Sequence, residues 1–241
     1  MNLSNNKILI TGGGSGIGLA LTERFVKENN TVIICGRRSD VLEAVAKKIP
    51  GVITRVCDLA HEQERIDLYN WVSENHSDVN MLINNAGIQE WVSVTDDDFY
   101  KRVKQEISIN IEAPVHLTSL FIQLKALNIV MNVSSGLAFC PMTKVAVYSG
   151  TKAFIHSFTM SMQKVLEKKN IEVIELIPPA LNTDLGGVGL HDWAPPVDGF
   201  IISIFDQLKE GKTILTYGLS DTMSQAGPEQ IKVAFQRMNE G

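Results

Sequence analysis

Short apolar, largely β-branched runs recur along the chain: Lys7–Thr11, Thr31–Cys35, Val52–Cys57, Val79–Ile83, Ile129–Val133, Ile171–Leu176 and Thr213–Thr216. Each is of strand length and apolar nearly throughout, rather than alternating with polar residues. That suits strands covered on both faces, as in a parallel sheet between two helical layers. Between them, Gly18–Glu28, Asp40–Lys48, Glu62–Glu74, Asp97–Leu127 and Tyr148–Lys168 place apolar residues at helical spacing. Strand and helix in alternation predict a three-layer, doubly wound α/β fold with a parallel sheet of about seven strands, spanning 1–241 as one domain. The stretch Pro178–Pro196, rich in Pro and Gly, interrupts the alternation after the sixth strand. A loop of that length is more often functional than accidental, and a substrate loop over about 178–200 is expected. Ligands of such sheets bind outside the carboxyl ends of the strands, so the residues that follow each strand carry the chemistry.

Composition narrows the classes. The 241 residues are 44% hydrophobic and 20% charged, the balance of an ordinary folded protein. No run of about 18 apolar residues exists, and Met1–Lys7 is polar, without the basic start or apolar core of a signal peptide. No membrane association and a cytoplasmic location are expected. Net charge is −5 and no basic patch with interleaved aromatics appears, so nucleic acid is not an expected partner. Cys35, Cys57 and Cys140 show no CxxC spacing and read as free thiols of a reducing compartment. The five histidines form no HExxH and no His/Cys cluster, so no metal site is expected.

The first strand runs into Thr11-Gly12-Gly13-Gly14-Ser15-Gly16-Ile17-Gly18, and a helix follows. Strand, glycine-rich turn and helix together can set a diphosphate against backbone N–H groups at a helix N-terminus. The spacing is not GxGxxG. Nor is it a P-loop, since Leu19-Ala20 stand where Lys and Ser/Thr would be required. The bland alternative is a tight turn. The second strand ends without the carboxylate that usually holds the ribose hydroxyls of NAD; Arg37 and Arg38 follow instead. Arg37 can present a planar fork of donors to a 2′-phosphate, or both arginines are solvated charges. Asp58 and Leu59 follow the third strand, where Asp58 taken alone reads as a helix N-cap. Asn84-Asn85-Ala86-Gly87 follows the fourth.

Tyr148 and Lys152 stand four apart in a helical segment and so share one face. Alone, that spacing is weak and usually marks a surface pair. Ser135, thirteen residues earlier and just past the fifth strand, strengthens it. Asn110 lies inside the long helix, where an asparagine is intrinsically unfavourable.

The spacing Thr-Gly-x-x-x-Gly-x-Gly, the NNAG run and the Ser135/Tyr148/Lys152 set together resemble the short-chain dehydrogenase/reductase family, of Rossmann fold, over Lys7 to about Thr216. The resemblance implies that Gly12, Ser15, Gly16, Ile17 and Gly18 hold the diphosphate of NADP(H). It implies that Asp58 and Leu59 meet the adenine, that Asn85, Ala86 and Gly87 line the cofactor, and that Pro178 and Thr183 lie near the nicotinamide. Thr183 as an ordinary helix cap is the alternative. Asn110, Ser135, Tyr148 and Lys152 would be the catalytic set. Tyr148 gives a proton to a carbonyl oxygen that Ser135 polarises, and Lys152 lowers the phenol pKa and holds the nicotinamide ribose. Asn110 would hold a water connecting Lys152 to solvent. The expected activity is NADPH-dependent, reversible reduction of a ketone or aldehyde to an alcohol. The other reading is a non-catalytic dinucleotide sensor, which would typically lack the Ser/Tyr/Lys set.

The sequence also departs from the family pattern. Ser15 stands where a second basic residue often occurs, so selectivity for NADP is expected to be incomplete. Pro179 replaces the usual glycine, and the C-terminal part differs. The Pro-Pro-Ala turn and this C-terminus are similar to the bacterial DltE-like subgroup. Trp91, Phe139, Cys140, Met142, Val145, Leu185, Leu190 and Trp193 are expected near the pocket and point to an apolar or aromatic ketone. A homodimer or homotetramer is implied, through the two long helices.

Overall fold

The computed structural model describes residues 2–240; Met1 and Gly241, the ends of the expected domain, lie outside the described residues. Seven strands form one parallel sheet in the order β3-β2-β1-β4-β5-β6-β7. They are β1 (Lys7–Thr11), β2 (Thr31–Gly36), β3 (Ile53–Val56), β4 (Met81–Asn84), β5 (Ile129–Val133), β6 (Glu172–Ile177) and β7 (Ile214–Thr216). Strand residues alternate between two faces, and both faces are dry because helices cover each. Ile8, Ile10, Ile34 and Met131 pack with Leu21, Phe25, Phe200 and Phe205 on one side. Leu9, Ile33, Leu82 and Val130 pack with Leu68, Val72, Leu117 and Phe121 on the other. Each such side chain contributes roughly 1.5–3 kcal/mol on burial. The strand order reverses between β1 and β4, which opens a crevice beyond their carboxyl ends.

The helices are α1 (Gly16–Lys27), α2 (Ser39–Lys48), α3 (Glu62–Asn75), α4 (Phe99–Ile107), α5 (Ala113–Phe121), α6 (Ala146–Glu167), α7 (Val197–Lys209), α8 (Leu219–Gln225) and α9 (Pro228–Asn239). The single helix expected over Asp97–Leu127 is instead α4 and α5 joined by a π-helical segment, Ser108–Glu112, which carries Asn110. Pro114 supplies the reason. It has no N–H to offer the Asn110 carbonyl four residues back, and its ring crowds that carbonyl, so the winding loosens there. The irregular stretch after β6 ends at Pro196, and α7 then crosses back to the sheet. Among the described residues no helix is long and apolar enough to cross a membrane. The three cysteines are buried free thiols.

Candidate functional site

A cleft of about 760 Å³ lies over the carboxyl edge of the sheet at the β1/β4 switch. Gly12, Ser15, Gly16, Ile17 and Gly18 form one wall, with Arg37, Arg38, Asp58 and Leu59 at one end. Asn85, Ala86 and Gly87 form the floor, and Tyr148, Lys152, Pro178 and Thr183 lie along the remaining wall. Gly12 and Gly16 sit at φ +66° and +52°, which lets the chain turn sharply from β1 into α1. The first turn of α1 holds no acidic side chain, and Ser15 makes no side-chain cap, so its N–H groups remain open to an anion. Arg37 and Arg38 are exposed, and among the described residues neither guanidinium has a hydrogen-bond or ion-pair partner. Asp40 lies in the first turn of α2, where it favours the helix itself. The residues present therefore fit a dinucleotide carrying a 2′-phosphate.

Hydrogen bonds fix the floor. Asn85 Nδ2 donates to Thr11 O at 2.9 Å, and the N–H groups of Asn85 and Ala86 both donate to Thr11 Oγ1 at 3.0 Å. Asn84 donates across the sheet to Asn132 Oδ1 at 2.9 Å. Asp58 is not an N-cap: α3 starts after His61, and the Asp58 carboxylate accepts the Ala60 N–H at 3.0 Å. Thr183 caps no helix; its methyl lies 3.4 Å from where a Cβ on Gly16 would stand, across the cleft mouth.

The reactive group is assembled by α6 and the loop after β5. Tyr148 and Lys152 are 6% and 4% exposed. Lys152 Nζ lies 5.5 Å from the Tyr148 ring centre and donates to Val133 O at 2.9 Å. The Ser135 Oγ accepts the Leu137 N–H at 3.1 Å, and Ser135 is close enough to the Tyr148 phenol to draw its pKa down. Ser134, its neighbour, turns the other way and donates to the buried Glu175 carboxylate at 2.5 Å. Asn110 sits behind them. Its Oδ1 accepts the Ile88 N–H at 2.9 Å, and its Nδ2 donates to Ile88 O at 2.8 Å and to Thr151 Oγ1 at 3.1 Å. A Cβ on Gly87 would stand 3.3 Å from Asn110 Oδ1 and 3.5 Å from Lys152 Nζ, so these two groups flank one point.

The electrostatics differ from expectation in one respect. Burial pushes the Tyr148 phenol up, and the Glu106 carboxylate pushes it further; Ser135 opposes both but does not prevail. Lys152 was expected to lower that phenol. Burial instead brings the ammonium itself down to about 8, with Glu106 opposing. Desolvation outweighs the neighbouring charge.

The short chain dehydrogenase family model matches residues 6–189. The chain belongs to that family. It is 35% identical to the uncharacterized oxidoreductase DltE of Bacillus subtilis (strain 168), over 99% of this chain and 98% of that one. It is 32% identical to the serine 3-dehydrogenase of Rhizobium radiobacter, over 73% and 72% of the two chains. The fold is shared with a short chain dehydrogenase from Burkholderia cenocepacia J2315 solved in complex with NADP, with a TM-score of 0.83, 20% identity and 99% of each chain covered.

Four features of this chain depend on contacts between residues distant in the sequence. Glu106 is wholly buried and accepts the Glu90 N–H at 3.1 Å, and its charge acts on Tyr148 and Lys152. A charge three residues after Val103 and four before Asn110, on the buried stripe of a helix, was the available signal. Glu175 accepts from Ser134 and pairs with His156 Nδ1 at 2.9 Å, one more turn along α6 from Lys152. Ser220, on α8, donates to Ile177 O at 2.5 Å and packs against Gly136, so the C-terminal segment buttresses the serine loop. Asn239, at the end of α9, accepts the Thr143 N–H at 2.7 Å and donates to Pro141 O at 3.1 Å. Of the expected apolar pocket residues, Leu185 lines the cleft. Cys140 and Val145 are core, at 0% and 1% exposed, and Leu190 and Trp193 face outward.

Proposed function

We propose that this chain is an NADPH-dependent carbonyl reductase, working reversibly as an alcohol dehydrogenase, with Tyr148 as the proton donor. The observation that carries the reading is the buried Tyr148 phenol with the Lys152 ammonium 5.5 Å from its ring centre, both lining a cleft that fits a dinucleotide, with Ser135 near enough to draw the phenol pKa down. Gly12, Ser15, Gly16, Ile17 and Gly18 would hold the diphosphate, with Arg37 and Arg38 at the 2′-phosphate and Asp58 and Leu59 at the adenine. Asn85, Ala86 and Gly87 would line the nucleoside, Lys152 the nicotinamide ribose, and Pro178 and Thr183 the nicotinamide. A bound NADPH supplies the hydride. The NADP in the Burkholderia structure, and the arginines where a ribose-binding carboxylate would stand, support NADP over NAD.

The chain's own residues then divide the work. Ser135 donates to the carbonyl oxygen and fixes its position while charge builds on it. Tyr148, kept protonated by burial and by the Glu106 charge, gives that oxygen its proton. A phenol held in its neutral form is suited to act as acid, the role that reduction requires. Lys152 stabilises the phenolate left behind and returns a proton to it. Asn110, through its clasp on Ile88, holds the segment that closes the far side of the pair. Exposed Met160 and Val165 on α6, with the stacked Phe154–Phe158 pair at 6.1 Å, favour association of copies along this helix.

Mixing the protein with NADPH or NADH and a panel of activated ketones and aldehydes, and following loss of reduced-cofactor absorbance, tests the reading. Turnover faster with NADPH is expected. Tight NADPH binding without turnover of any carbonyl would mark a dinucleotide sensor instead.

A further inference from the structure

The segment after the Asn85-Ala86-Gly87 floor is held fast on both sides of Gln89. Asn110 clasps Ile88 through its N–H and its carbonyl. Glu106 accepts the Glu90 N–H at 3.1 Å, and Arg102 donates to the Glu90 carboxylate at 2.8 Å and to Trp91 O at 3.2 Å. Gln89 itself is 7% exposed and lines the cleft, yet its Oε1 has no hydrogen-bond partner among the described residues. Nor has the buried Nε1 of Trp91. A buried polar atom without a partner carries the full cost of its lost hydration. Two such atoms on a pinned backbone mark a place for a ligand group.

Both atoms converge on Gly186, in the loop after β6. A Cβ there would stand 2.8 Å from Trp91 Nε1 and 3.0 Å from Gln89 Oε1, hydrogen-bond distance from each. Gly186 turns only its methylene to them, which offers neither a bond. Gly186 and Gly187 line the cleft with Gln89. Gly186, Gly187 and Gly189 sit at φ +81°, +153° and +80°, a backbone that leaves this loop free to shift. The indole N–H only donates, and the amide carbonyl beside it only accepts. The reverse amide orientation would set donor against donor. A hydroxyl accepts from the one and donates to the other. A carboxylate or phosphate would meet the Gln89 lone pairs, and an ammonium would meet the indole N–H.

We propose that Gln89 and Trp91 form a polar subsite that takes a hydroxyl of the carbonyl substrate, so that hydroxy ketones and hydroxy aldehydes are the favoured class. This rests on the reading of the cleft as a carbonyl-reductase site. Gly186 draws back as the substrate enters, and the glycines of its loop absorb the change. The hydroxyl accepts from Trp91 Nε1 and donates to Gln89 Oε1, and both desolvated atoms gain a partner. A substrate without the hydroxyl leaves both unpaired, which is the source of discrimination. Trp91 thus serves through its N–H and not only as an apolar ring.

The test pairs ω-hydroxy methyl ketones of increasing chain length with unsubstituted methyl ketones of the same length, using NADPH and the wild type, Gln89→Leu and Trp91→Phe. Leu removes the amide at similar volume, and Phe keeps an aromatic ring without the N–H. In the wild type, kcat/KM for the best-fitting hydroxy ketone should exceed that of its match by about 100-fold, two hydrogen bonds at about tenfold each, and through KM rather than kcat. That ratio should fall about tenfold in each variant. A ratio taken within one variant cancels any loss of folded enzyme. If no pair is separated in the wild type, or the ratio is unmoved in either variant, the proposal is overturned. Should the wild type reduce no carbonyl, the functional reading fails, and tryptophan fluorescence of the protein with NADP, with Trp91→Phe subtracted, decides the subsite. A change with a hydroxy ketone but not with its match upholds it; the same response to both, or none to either, overturns it.

Discussion

Gly18→Ala and Gly150→Ala place the same methyl group in two helices and should act in opposite directions. A Cβ on Gly18 would stand 2.2 Å from Gly12 O, 2.5 Å from Asn85 Nδ2 and 2.9 Å from Gly12 C. The obstacle is backbone, and it is pinned: Gly12 N–H donates to Cys35 O at 2.8 Å, and Gly12 O accepts from Asn85. The glycine turn must therefore shift, a cost at the upper end of overpacking, about 3 kcal/mol. The helix preference of Ala returns about 1 kcal/mol, leaving a net loss of about 2 kcal/mol. A Cβ on Gly150, in α6, meets nothing within 4 Å, so only the helix preference acts there and that variant gains about 1 kcal/mol. At about 2–4 °C per kcal/mol for a chain of this size, the two melting temperatures should lie about 6–12 °C apart. Thermal denaturation followed by circular dichroism measures this, and NADPH titration should show weakened binding in Gly18→Ala alone. If Gly18→Ala melts with the wild type and binds NADPH equally well, the packing argument for the turn is wrong.

Two further outcomes are expected. Arg37→Ala should weaken NADPH by about 1.5–3 kcal/mol, or roughly 10- to 100-fold, while leaving NADH nearly untouched, because a charge-assisted bond to the 2′-phosphate is lost; unchanged NADPH affinity in a fluorescence titration would remove Arg37 from the site. Glu106 gives a stability signature of its own. Its carboxyl is raised from 4.5 to about 7 in the fold, so between those values the native state holds a proton that the unfolded chain has lost. Stability from this group falls as pH rises through that window, by up to about 3 kcal/mol. Glu106→Gln should therefore match the wild type near pH 5 and melt higher near pH 8. A melting difference that is flat with pH, or larger in acid, would contradict the burial argument.

The sheet was legible because alternate strand residues face two dry layers, which leaves uninterrupted apolar runs. Its edges were less so. β4 starts at Met81 rather than Val79, because the ladder with β1 pairs Ile8 with Met81. None of the expected helices covers α7, although Phe200, Ile204 and Leu208 carry helical spacing and are buried. The π segment follows from Pro114, a local signal that a smooth hydrophobic period conceals. The cleft residues were readable because each follows a strand, and topology gathers strand ends. Glu106, Glu175 and Ser220 were not, because their roles come from neighbours distant in the chain. The direction of the Tyr148 shift depends on burial, a quantity the order of residues does not carry.

Single-turnover kinetics of Tyr148→Phe, with NADPH and a carbonyl that the wild type reduces, bears most directly on the mechanism. The account predicts NADPH binding as in the wild type, with the reduction step slowed by about 10²–10⁴-fold for want of a proton donor. Hydride transfer at a near-native rate in that variant would contradict it.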